Sequence, residues 1–117
     1  MANALYDLGR EKFLNGAIGW SSDTIKIALI DEDAGAGSVP SLAMDEFWDD
    51  RLADAKVAVS SALSGKTSAA GVADANDVTF STVTGDPCES IDVFMDTTDP
   101  ETSPLILNID TATGLPV

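Results

Sequence analysis

A two-residue alternation of apolar and polar side chains, cut into short runs by turn residues, constrains this chain most. The clearest run is Thr24-Ile25-Lys26-Ile27-Ala28-Leu29-Ile30-Asp31. It puts Ile25, Ile27 and Leu29 on one face and Lys26, Ala28 and Ile30 on the other, as in a β-strand. Three more runs follow at regular spacing: Val78–Val83, Ile91–Asp96 and Leu105–Asp110. Gly85-Asp86-Pro87 punctuates the first gap and Thr97-Thr98-Asp99-Pro100 the second. In the second of these runs Ile91, Val93 and Met95 oppose Asp92, Phe94 and Asp96. In the third, Leu105, Leu107 and Ile109 share a face. Short strands with turns every 10–14 residues predict an antiparallel β-sandwich or open barrel. Lys56–Ser60 is a further expected strand, and Gly65–Asn76, rich in small residues, is loop or a weak edge.

Two helices are expected beside these strands. Residues 4–14 form the first, capped by Asn3 and stopped by Asn15-Gly16. Gly9 weakens it by about 1 kcal/mol relative to Ala, which close approach of another backbone would explain. Met44–Leu52 is a second, short helix, with Met44, Phe47, Trp48 and Leu52 at helical spacing. That stripe is core or, rimmed by Asp45, Glu46, Asp49 and Asp50, an interface hot spot. The fold class is therefore mainly β with one N-terminal helix, in a single domain spanning 1–117. The ending Thr111–Val117 is turn-like. An antiparallel sheet has room for one more strand there: either the chain stops short of it, or Leu115 and Val117 dock on the body or on a partner.

Composition narrows the functions. The chain has 117 residues, 20 acids, 6 bases and no histidine, for a net charge of −14. All six bases lie in residues 1–66, which sum to −5; residues 67–117 sum to −9. Nucleic-acid binding needs clustered Lys and Arg, so it is excluded as a partner class. Adsorption to an anionic membrane fails for the same reason. No apolar run approaches the roughly 20 residues of a membrane span. The N-terminus lacks the basic and apolar regions of a signal peptide, and one cysteine cannot form an internal disulfide, which fits folding in a reducing cytoplasm. Leu, Ile, Val and Phe number 29, a quarter of the chain, which favours a folded domain over a disordered one.

The residues offer little chemistry. Without histidine there is no Ser-His-Asp or Cys-His arrangement and no ordinary zinc set. Ser64-Gly65-Lys66-Thr67 has the end of a phosphate-binding loop without its upstream glycine. Cys88 stands beside Glu89, and an adjacent acid does not activate a thiol. Carboxylate pairs, the groundwork of glycoside hydrolysis, are inevitable among 20 acids and lack an aromatic cleft. Calcium would suit Asp31, Glu32 and Asp33 ahead of a Gly-rich loop, or Asp74, Asn76 and Asp77, or Asp96, Asp99 and Glu101. None has EF-hand spacing, and a solvated acidic loop is the simpler reading. No catalytic, cofactor or metal residue is expected, and the chain is read as non-enzymatic.

The opening Met1-Ala2-Asn3-Ala4-Leu5-Tyr6-Asp7-Leu8-Gly9-Arg10, followed by Phe13-Leu14, Gly16, Ile18 and Trp20, resembles a family of small tailed-bacteriophage structural proteins. Asp23–Asp31, Gly65-Lys66-Thr67, Gly71–Ala75, Asp77–Phe80 and Asp110–Val117 are similar to it in the same order. The Asp45–Asp50 segment and Pro87-Cys88 depart from its pattern. Family members continue past this point through a Gly/Asn-rich turn into a final strand. The resemblance implies a virion structural protein, located in the virion and assembled in the host cytoplasm. Its partners would be the major capsid protein or another virion protein, and it would form a homo-oligomer suited to lattice symmetry. Capsid decoration or cementing is preferred over a place at the tail, neck or fibre. The candidate interface residues are Leu5, Phe13, Trp20, Phe47 and Trp48. Residues 67–117, with Asp92 and Asp96 facing outward, are expected on the solvent side and residues 1–66 on the lattice side.

Overall fold

A computed structural model describes residues 3–81, 83–112 and 114–117. Met1 and Ala2 of the opening motif, Thr82 and Thr113 lie outside the described residues.

The alternating runs become the middle of one antiparallel sheet. β1 (Ala4–Leu5), β2 (Ile25–Ile30), β3 (Lys56–Val59), β6 (Ser90–Met95) and β7 (Leu105–Ile109) pair in the order β1-β7-β6-β2-β3. β2 and β6 pair without interruption from Ile25↔Met95 to Ile30↔Ser90. β4 (Thr67–Ala69) and β5 (Val72–Asp74) form a separate hairpin turned by Ala70 and Gly71, both at positive φ. Among the described residues the fold is mainly β with one α-helix near the N-terminus and no closed barrel.

Both faces of the sheet carry an apolar cluster. On one, Ala28, Ile30, Phe94 and Leu105 meet Tyr6, Trp48 and Ala55. The Trp48 and Phe94 rings stack at 4.2 Å with 6° between planes. On the other, Ile25, Val93 and Ile106 meet Ile18, with Leu5, Phe13 and Trp20 against them. A bulge at Val93/Phe94 pairs Val93 with Leu107 and Phe94 with Leu105, leaving Ile106 as the extra residue. It reverses the side-chain alternation. Leu105 therefore packs with Phe94, whereas Leu107 packs with Val93; the expected common face of Leu105, Leu107 and Ile109 is corrected.

The N-terminal helix, α1 (Asp7–Leu14), starts three residues later than expected. Ala4 and Leu5 pair instead with Asn108 and Leu107. Asn3 does not cap the helix. Its Oδ1 accepts the Asp110 and Thr111 N–H groups and ties down the end of β7. Asn15 and Gly16, at φ 81°, end the helix as expected. Gly9 answers to a close approach: a Cβ there would lie 2.4 Å from the Leu105 carbonyl oxygen.

The Met44–Leu52 helix is not formed. Trp48–Asp50 and Ala53–Ala55 are single 3₁₀ turns, and Met44 is 77% exposed. Asp50 Oδ2 accepts the Glu46 and Phe47 N–H groups and Asp45 Oδ2 accepts Ser41 N–H. Such local bonds compete with a helical ladder. The segment also lies along the chain before β7, where Trp48 N–H reaches the Ser103 carbonyl and Leu105 N–H the Glu46 carbonyl.

The expected strand Val78–Val83 has no ladder among its described residues. Its alternation survives as packing, with Val78 and Phe80 half-buried near Leu29. Both edges of β2 are already taken by β6 and β3. Val117 exchanges two backbone hydrogen bonds with Cys88, at 2.7 and 2.9 Å, so the last described residue docks on the body while its side chain stays 64% exposed. Among the described residues no helix is long and apolar enough to cross a membrane.

Candidate functional site

The second apolar face is only partly covered. Between α1, the sheet and the β4–β5 hairpin lies a cleft of ≈ 640 Å³. Leu5 enters it from β1, Ile27 from β2, Val93 from β6, and Leu107 and Ile109 from β7; Phe13 and Leu14 line it from α1. Helical spacing puts Arg10 beside Phe13 and Leu14 on one side of α1. Leu14 is 89% exposed at the rim. Gly71 and Ala73 close the outer side from the hairpin. Trp20 does two things there. Its ring lines the cleft, and its indole N–H is shared by the Thr67 and Asp74 carbonyls, at 3.0 and 3.2 Å, where the two hairpin strands begin and end. Lys66 Nζ donates to the Asp23 carbonyl at the hairpin base.

Three of the five expected interface residues, Leu5, Phe13 and Trp20, thus converge on one cleft. Phe47 and Trp48 do not join them. Trp48 is buried on the opposite face, between Phe94 and the Lys56 ammonium, which sits 4.2 Å from its ring centroid. Burial, and then Arg51, hold the Lys56 pKa below its ordinary value. Phe47 makes a bridge to Pro104 beneath Lys12, whose Nζ is 5.0 Å from the ring and 2.6 Å from Glu46 Oε2. Arg10, Leu63, Leu107 and Ile109 were not singled out from the sequence. Alternation marked Leu107 and Ile109 as apolar positions, but no sequence signal tells a covered apolar face from an open one.

A second constellation is wholly internal. Arg51 and Asp92 are both fully buried, joined by Nε and Oδ2 at 2.7 Å. Asp92 Oδ1 also accepts the Tyr6 hydroxyl at 2.7 Å and Asn108 Nδ2 at 2.9 Å. Arg51 donates further to the Ser38 carbonyl at 3.0 Å. Asp92 was expected to face solvent and does not. It is on the same face as Phe94, as alternation requires, but that face is covered by the 31–55 segment, whose Arg51 meets the carboxylate. Burial, and then the Asp92 charge, push the Tyr6 phenol well above its ordinary pKa. The cluster has the density of a polar core that pins four segments together, and it does not open into the cleft.

The acidic loops are mostly consumed by backbone. Of Asp31, Glu32 and Asp33, only Asp31 and Asp33 stay together, and Glu89 joins them, with one oxygen of each within 4.8 Å of the others. Asp31 Oδ1 accepts Asp33 N–H and Glu89 Oε1 accepts Glu32 N–H, so these carboxylates serve the turn. Asp74 accepts Ala75 N–H, Asp96 accepts Thr98 N–H and pairs with Lys26 at 2.7 Å, and Asp99 accepts Glu101 N–H. Cys88 is buried, and burial, then Glu89, push its thiol pKa up.

No protein-family model, curated protein or solved structure matches the chain.

Proposed function

We propose that this protein is a non-enzymatic structural protein of a tailed-bacteriophage virion that decorates and reinforces the capsid lattice through its cleft-bearing face. The observation that carries the reading is the convergence of Leu5, Phe13 and Trp20, all from the segment that resembles the phage family, around an open apolar cleft with Leu14 89% exposed at its rim. Exposed apolar surface beside a concavity is what a docking face presents. The strongly acidic remainder favours solubility and repels nucleic acid. The cleft draws on both charge halves, since Leu107, Ile109, Gly71 and Ala73 line it together with Leu5, Phe13 and Trp20. The lattice side is therefore assigned to this face rather than to residues 1–66 as a block.

The test is a particle reconstruction with copy counting. Hundreds of copies on the head, with Leu14 in the contact, supports the proposal; a few to a few tens at the tail or neck rejects decoration. Leu14→Glu should lower occupancy on particles while leaving the thermal midpoint of the free protein within about 2 °C, as expected for an exposed site. Unchanged occupancy removes this face from the contact.

A further inference from the structure

We infer that the cleft binds a single alkyl chain bearing an anionic head group, the chemistry of a long-chain carboxylate. The inference concerns the same cleft as the proposed docking face but is argued without the virion reading. The cleft volume, ≈ 640 Å³, lies inside the range of about 300–1,000 Å³ found for small-molecule sites. Its walls are side chains such as Ile27, Val93, Leu107 and Phe13. An extended peptide laid along such walls would bury N–H and C=O groups without partners; an alkyl chain has none to satisfy.

Charge complementarity selects the head group. The chain has 20 acids and 6 bases, yet among the described residues Arg10 is the one ionisable residue that lines the cleft. Its Nη2 forms an exposed ion pair with Asp7 Oδ1 at 2.8 Å, which uses one of the five N–H donors of a guanidinium and leaves the others to a second carboxylate. Arg10 is half-exposed, so a carboxylate would meet it at the wet mouth while the tail runs inward.

The hairpin supplies the cover. All six residues of β4 and β5 are exposed. Gly71 and Ala73 stand over the cleft, and the Trp20 indole N–H holds both strands at their open end. A tail lying in the open cleft would run beneath this hairpin.

Isothermal titration of the whole protein with dodecanoate, below its micelle concentration, should give saturable 1:1 binding with a change in tryptophan fluorescence. Dodecyltrimethylammonium should bind up to about fivefold more weakly, the scale of an exposed charge pair. Arg10→Gln should abolish that preference. Ala73→Phe, on an exposed strand, should fill the cleft and abolish dodecanoate binding with an unchanged melting curve. Equal affinity for the two heads, indifference to Arg10→Gln or Ala73→Phe, or uptake without saturation would overturn the inference. So would a doubled mass by light scattering that Ala73→Phe reduces to a single copy, which would make the cleft an interface between copies. The two readings share one face but have separate readouts: dodecanoate binding is measured on the free protein, and lattice docking by the occupancy of Leu14→Glu on particles.

Discussion

Replacing Arg51 by methionine tests the polar core most directly. The guanidinium is fully buried and meets an equally buried carboxylate at 2.7 Å. Deleting it leaves Asp92 with two neutral donors, the Tyr6 hydroxyl and Asn108 Nδ2. It also removes a donor from the Ser38 carbonyl. Removing one member of a buried ion pair costs about 3–5 kcal/mol, a large part of the roughly 5–15 kcal/mol that holds a domain together. With a urea m-value of about 2 kcal/mol/M, the midpoint should fall by about 1.5–2.5 M with m unchanged. Tyr6→Phe, which takes one hydrogen bond from the same carboxylate, should cost about 1–3 kcal/mol. The two variants share a partner, so their costs should depart from additivity by more than about 0.5 kcal/mol. A midpoint shift for Arg51→Met worth less than about 1 kcal/mol would place Arg51 in water, and strict additivity would break the shared Asp92 network.

Gly9→Ala should destabilise by about 1–3 kcal/mol through overpacking against the Leu105 carbonyl, although alanine is the better helix former by about 1 kcal/mol; a stabilised variant in thermal melts would show that α1 does not press on β7. The Lys26 hydrogen bond, and then the Thr98 N–H, hold Asp96 below the usual carboxylate range. Its folded pKa is thus below its unfolded one, so its stabilisation is fully present above the ordinary carboxylate pKa and is lost as pH falls through the folded value. Asp96→Asn should flatten the acid side of a stability–pH curve and leave its slope near neutrality alone; an unchanged acid limb refutes the assignment. Met44→Ser should change stability by no more than about 0.5 kcal/mol, because the side chain is in solvent; a loss above about 2 kcal/mol would restore the discarded apolar helix.

The parts legible in advance are those where local chemistry leaves one choice. Ile25–Ile30 and Ser90–Met95 alternate, and they pair in unbroken register. Asn15-Gly16 ends a helix because glycine accepts the left-handed backbone at φ 81°. Gly9 was costly where it stood, which pointed to a close backbone. Val78–Val83 alternates equally well, but it packs near β2, whose two edges are already paired with β6 and β3, and nothing within those residues records that. Met44–Leu52 has helical spacing, but its acids bond to backbone N–H groups nearby and Phe47 lies beside Pro104, almost 60 residues away in sequence. Of the candidate site, Leu5, Phe13 and Trp20 were legible as apolar anchors near the N-terminus. Their union with Leu107 and Ile109 across the sheet was not.

By itself the sequence determined a mainly β chain, strongly acidic, with its principal strands and the stop of its helix, because alternation, turn chemistry and charge act over a few residues. Tertiary structure alone decided which polar side chains go inside and which apolar ones stay out. Alternation assigns Asp92 and Phe94 to one face, but only the 31–55 segment lying over that face, with Arg51 at the matching point, makes a buried carboxylate tolerable there. On the other face the same alternation leaves a cleft, because the hairpin that reaches it covers it with Gly71 and Ala73, side chains too small to fill it.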